Sequence, residues 1–102
     1  AIGIARFIIK VALEKNLIPN RIVPSAIGGL AICWGEPGRW ADIEIDNERR
    51  VIGDVHNRSS YAIWKIRIPR TLDIALYYIQ DLLKTGKITI PVKKGIIYGF
   101  SR

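Results

Sequence analysis

Cysteine, histidine and methionine are nearly missing from this sequence, which has one, one and none of them in 102 residues. A single thiol, Cys33, cannot close an intramolecular disulfide. Its place inside an apolar run points to a buried structural thiol, which favours a reducing, cytoplasmic setting. No histidine stands near it in sequence, so a nucleophilic role is not expected. The lack of methionine means that the initiator has been removed or that the numbering begins after a trimmed segment. No internal repeat, no low-complexity tract and no established catalytic motif is found. The pair Gly28-Gly29 precedes an expected strand, whereas phosphate-cradling loops follow a strand and open a helix, so no cofactor is expected either. There is also no apolar run long enough to span a bilayer. The apolar residues 1–13 are too short, carry Arg6 and Lys10, and lack the order of a signal peptide.

What is present is an ordinary globular composition, 49% apolar and 25% charged, unlike a disordered chain or a multispanning membrane protein. At 102 residues it reads as one domain, able to bury a core without metal or disulfide staples. Sixteen Lys and Arg against nine Asp and Glu give a net charge of +7, which predicts attraction to polyanions or to an acidic protein surface. The two signs are segregated. Glu36, Asp42, Glu44, Asp46, Glu48 and Asp54 crowd together, whereas no acid follows Asp81 and Lys84, Lys87, Lys93, Lys94 and Arg102 do.

The hydrophobic spacing predicts an α+β domain. Ile4, Phe7, Ile8 and Val11 draw an apolar stripe, widened by Ile9 and Leu13, along a helix over 2–15 that Asn16 and Pro19 end. So apolar a helix is expected to be buried on most sides or to meet a partner. Residues 17–25 read as an extended connector, because Pro24 argues against a central strand. Residues 28–68 hold all three tryptophans and alternate as an antiparallel meander of about four strands. Its turns are expected at 35–38 (Gly-Glu-Pro-Gly), 46–50 and the polar 56–60. In the first strand both faces are apolar or small, which places it inside the sheet, and Gly53 in the third suggests a bulge or a close backbone approach. Thr71 is the expected N-cap of a covering helix over 71–84, with the stripe Leu72, Ala75, Leu76, Ile79, Leu82 and Leu83, stopped by Gly86. The basic, apolar tail 87–102 reads as an extended segment or hairpin around Lys93-Lys94-Gly95.

Three surfaces carry chemistry. On the second meander strand Trp40, Asp42 and Glu44 share the face opposite Ala41, Ile43 and Ile45. With Asp54 and His56, and with Asp46 nearby, these acids have the residue types of a metal-assisted or acid–base site. The ordinary reading of alternating acids is the solvated face of a half-covered sheet, and that of His56 is a surface loop histidine. The tail lysines Lys84, Lys87, Lys93 and Lys94, with Arg102, Tyr98 and Phe100, have the composition of a nucleic-acid contact, although no recognition helix or RNA-binding signature accompanies them. The apolar tail residues Ile88, Ile90, Ile96, Tyr98 and Phe100 are too many for a free terminus. They are expected to join the chain's own sheet or to pair with another chain.

The meander residues Gly28-Gly29-Leu30, Trp34, residues 38–44 (Gly-Arg-Trp-Ala-Asp-Ile-Glu), Asn47, Ile52 and Trp64 resemble a family of small uncharacterised prokaryotic proteins with a glycine-pair, tryptophan and "ADIE" pattern. Glu48-Arg49 stands where that family has an aspartate-glycine turn, and His56-Asn57 where it has a serine-aspartate pair. The resemblance implies a small α+β domain and no established activity.

The function expected from these readings is a non-catalytic protein-binding module in the manner of a small antitoxin, inhibitor or accessory subunit. It would use Trp40, Asp42, Glu44, Ile88, Ile90, Ile96, Tyr98 and Phe100 against a protein partner or a second copy. The alternatives are nucleic-acid binding through Lys84, Lys87, Lys93, Lys94 and Arg102, and a metal-assisted enzyme using Asp42, Glu44, Asp54 and His56.

Overall fold

The computed structural model describes residues 2–25, 28–90 and, for the backbone alone, 97–100. The fold is α+β. Helix α1 (Ile2–Glu14) leads into a five-strand meander of β1 (Arg21–Pro24), β2 (Leu30–Glu36), β3 (Arg39–Ile45), β4 (Val51–Asn57) and β5 (Ser60–Ile66). Helix α2 (Leu72–Thr85) and a last strand, β6 (Ile97–Phe100), follow. The strands lie in chain order in one six-stranded sheet, and every neighbouring pair is antiparallel.

The two strands beyond the expected four are the edges. Residues 21–24 of the connector pair only with β2, and an edge tolerates Pro24, which has no N–H to give to a second neighbour. At the other edge β6 pairs with β5, Tyr98 facing Ala62 and Phe100 facing Ser60 in register, so this part of the tail joins its own sheet. Of the two forms expected for the tail, an extended segment or a hairpin, residues 97–100 take the extended one. Residues 87–90 have no regular structure, and Ile90 is 4% exposed and part of the core. Ile88 packs against that core as well, so Ile90 is not a surface contact and Ile88 is only half available. Ile96, Lys93, Lys94 and Arg102 lie outside the described residues, as do the side chains of Tyr98 and Phe100.

Both helices cover the same face of the sheet. Ile32 and Trp34 on β2, Ala41, Ile43 and Ile45 on β3, Val51 and Val55 on β4, and Ala62, Trp64 and Ile66 on β5 form its inner half. The α2 stripe Leu72, Ala75, Leu76, Ile79 and Leu82 is buried against it as expected, over β3 and β4, while α1 lies over β2 and beside α2. The buried line of α1 runs through Ala5, Ile8 and Ala12, rotated from the expected stripe, and leaves Phe7 and Leu13 exposed. The two alanines let the helix come close, and the bulkier neighbours are turned outward. Gly53 serves a close approach without a bulge. Its register with Ile43 and Trp64 is continuous, and a β-carbon there would stand 2.6 Å from the Trp64 ring.

Local chemistry fixes the connections. Pro37 and Gly38 form a two-residue turn between paired Glu36 and Arg39, with Gly38 at φ 95°, as a proline-then-glycine turn requires. Between β3 and β4 the Asp46 carboxylate accepts the N–H groups of Glu48 (2.9 Å) and Arg50 (2.8 Å) and the Arg50 Nε–H at 2.6 Å. Asn57 Oδ1 accepts the N–H groups of Ser59 and Ser60, both at 2.9 Å, to fold the next turn. His56 and Asn57 therefore belong to β4, not to the loop expected at 56–60. Thr71 departs from expectation too. Its hydroxyl accepts the Arg67 N–H at 2.8 Å and makes no cap bond to α2. Gly86 does close that helix, left-handed at φ 78°, with its N–H donating to the Leu82 carbonyl at 2.7 Å. No helix among the described residues is long and apolar enough to cross a membrane.

Candidate functional site

With both helices on one side, the opposite face of the sheet has no covering element among the described residues. Strand alternation and register assemble it. Cys33 on β2 stands beside Asp42 on β3, Asp42 beside Asp54 on β4, and Asp54 beside Ile63 on β5. One residue pair further along the strands, Ala31, Glu44, Ile52 and Lys65 form a parallel row; the pair on the other side joins Gly35, Trp40, His56 and Tyr61. The three acids Asp42, Glu44 and Asp54 are thus brought onto one face, as expected from their grouping in the sequence. Asp46 is not among them, since it closes the turn at the sheet's end on Arg50.

This is not a solvated face of the ordinary kind. Trp40, Asp42, Glu44, Ile52, Asp54, His56 and Ile63 are all half-buried. Trp40 Nε1–H donates to Asp42 Oδ2 at 3.2 Å, and the Ser25 hydroxyl donates to Glu44 Oε2 at 2.8 Å. The other oxygen of Asp42, Oδ1, is buried with no hydrogen-bond partner. Arg21, from edge strand β1, lays its guanidinium over the Trp40 ring, 5.6 Å from the centroid, a cation–π contact that holds the indole at the rim.

The electrostatics follow from this crowding. Burial, then repulsion from Asp54 and Glu44, raises the Asp42 carboxyl to about 6 against the pull of the Trp40 hydrogen bond and of His56. Burial, then the Glu44 charge, pushes Asp54 up to about 6 as well. Cys33 is raised by burial and by Asp42, with Arg21 opposing, so the thiol is a protonated, 3% exposed wall of the site, as its place in an apolar run suggested. At the sheet's end burial acts to raise Asp46, but the Arg50 and Glu48 hydrogen bonds and the Arg50 charge outweigh it and hold that carboxyl low.

Two carboxyls poised near 6, one with an orphaned oxygen, can each take up a proton near that pH or accept a cation. Among the described residues no three His, Cys, Asp or Glu side chains form a group suited to a metal ion, so the four-residue metal site expected from Asp42, Glu44, Asp54 and His56 finds no support in the geometry. Of the basic residues expected to meet nucleic acid, Lys84 and Lys87 are exposed near the end of α2, and the acidic face lies elsewhere. Cys33, Arg21, Ile52 and Ile63 were missed as members of the site. The period-2 pattern shows which residues share a face within a strand, but only the register shows which strands stand side by side.

No family model matches the chain, and no curated protein or solved structure matches it significantly.

Proposed function

We propose that the protein is a non-catalytic protein-binding module that docks a cationic protein surface on its open sheet face, as a small inhibitor, antitoxin or accessory subunit would. The observation that carries this is the unpartnered Asp42 Oδ1 beside Asp54. A lysine or arginine from a partner would supply the missing hydrogen bond and relieve the repulsion between the carboxylates. Trp40, held by Arg21 and Asp42, is the large rigid side chain that typically anchors such a contact, and Ile52 and Ile63 would supply apolar area around it. The like charge of the strip opposes self-association face to face, which makes a different protein the better occupant than a second copy. A cytoplasmic setting and a distant kinship with the "ADIE" family belong to the same proposal, on the lone buried thiol and on the meander motif.

Affinity capture with the tagged chain tests it. A partner retained by the wild type at pH 7.5 should be retained at least about tenfold less by Trp40→Ala, following the usual weight of a central tryptophan. Replacing Asp42 and Asp54 with asparagine should act in the same direction. A captured protein indifferent to all three changes would refute docking on this face. A captured nucleic acid released by moderate salt would favour the basic surface instead.

A further inference from the structure

A second concavity lies at the end of the sheet and adjoins the acidic strip, with whose Glu44 row it shares Ile52 and Lys65. It has a volume of about 950 Å³ and is bounded by the β3–β4 turn, the last residues of β5 and Ile4 of α1. Such a volume is within the range of small-ligand sites. Its apolar lining is aliphatic, with half-buried Ile4, Ile52 and Ile68 beside the core residues Val51 and Ile66, and none of the described residues bounding the pocket is aromatic. Around it stand Arg49, Arg50, Lys65 and Arg67 with Asp46 and Glu48.

The acids are already engaged. Arg50 Nε lies 2.6 Å from Asp46 and its Nη2 lies 3.5 Å from Glu48. Arg49, Lys65 and Arg67 are exposed and make none of the ion pairs found among the described residues. The pocket therefore keeps surplus positive charge beside an aliphatic lining. The turn is also set rigidly: Arg49 sits at φ 66°, a conformation an arginine rarely takes. It is held there by its N–H donating to the Asp46 carbonyl at 3.1 Å and by Asp46 N–H donating to the Arg50 carbonyl at 3.0 Å. A backbone so constrained presents the Arg49 side chain beside the groove, and glycine would fill the same position with less strain.

We infer that this pocket is a binding site for an anionic amphiphile, a phosphate or carboxylate head on an aliphatic chain. Arg49, Lys65 and Arg67 would take the head and the aliphatic lining the chain. The lack of an aromatic platform disfavours a nucleotide base, which stacks on aromatic rings, and the charge surplus disfavours a neutral lipid. The site borders the open-face docking surface proposed above and shares Ile52 and Lys65 with it, but its cations Arg49 and Arg67 stand outside that surface, so variants at those two positions test it separately.

The test is isothermal titration of the full chain with dodecyl phosphate below its micellar concentration, with dodecyl maltoside and inorganic phosphate as the neutral and chainless comparisons. Dodecyl phosphate should bind at one equivalent, and both comparison ligands at least about tenfold more weakly, the loss expected when a charge-assisted hydrogen bond or a buried chain is missing. Lys65→Glu and Arg67→Glu, both at exposed positions, should each weaken dodecyl phosphate binding by about tenfold or more. Arg49→Gly should do likewise while leaving the melting temperature unchanged or higher, so that loss of binding is separated from loss of fold. Lys87→Glu, outside the pocket, should leave binding intact. The inference is overturned if dodecyl phosphate does not bind, or if phosphate alone or the maltoside binds as well. It also fails if Lys87→Glu weakens binding as much as the pocket variants, or if a single-stranded oligonucleotide displaces dodecyl phosphate from the same cations at lower concentration.

Discussion

Asp42 and Asp54 are the residues on which the account turns, and their protonation makes it measurable. Both carboxyls are raised to about 6, by burial first and by neighbouring carboxylates second. The folded state therefore holds these protons more tightly than the unfolded chain. Their contribution to stability is then largest below the ordinary carboxylate range, falls as pH rises from about 4 through about 6, and levels off above. Melting curves should show a wild type that gains a few degrees, on the order expected for a domain of this size, between pH 7.5 and 5. The Asp42→Asn, Asp54→Asn double variant should melt higher at pH 7.5 and be flatter across that interval. Equal slopes for the two proteins would show that these carboxyls do not titrate there. Gly53 makes a second residue-level prediction: with a β-carbon 2.6 Å from the Trp64 ring, Gly53→Ala should destabilise by about 1–3 kcal/mol in urea titrations, as overpacked cores do.

At the scale of elements, what was legible depended on whether a segment is governed by its own periodicity. Helix α2 was readable except at its N-cap, because its apolar residues fall on one face and Gly86 takes the left-handed cap at φ 78°, whereas the Thr71 hydroxyl turns back to Arg67. Gly86→Ala should lower the melting temperature, by roughly 1 kcal/mol of stability, through the strain of a side chain at that angle. An unchanged melting temperature would mean that the cap does not hold the helix end. The inner strands were readable for the same reason, with Gly53 and the 35–38 turn as punctuation. The edges were not. Strand β1 is too short to show alternation and carries Pro24, and β6 follows lysine- and glycine-rich chain whose pairing with β5 is a long-range choice. Helix α1 was placed correctly, but it is so apolar that its own pattern did not select the Ala5, Ile8 and Ala12 line; the need for close approach did. The candidate site was half legible: Trp40, Asp42 and Glu44 share a strand and show in the alternation, whereas Cys33, Ile52 and Ile63 join them only through register.

At the scale of the whole molecule, helices on one face and an acidic, half-buried strip on the other make a chain of net charge +7 locally negative where it lacks cover. A cationic partner would meet attraction at the strip and repulsion around it, which favours a single orientation of docking. Acidification should then move binding and stability in opposite directions, since the protons that relieve the strip also remove the charge that attracts the partner. The most direct measurement is photo-crosslinking in cells from a benzoylphenylalanine placed at Trp40, compared with the same group at Arg58 in the exposed β4–β5 turn. The account predicts one discrete heterologous adduct from position 40 that is absent from position 58 and disappears when Asp42 is replaced by lysine. The same adducts from both positions, or only a crosslink to a second copy of the chain, would contradict it.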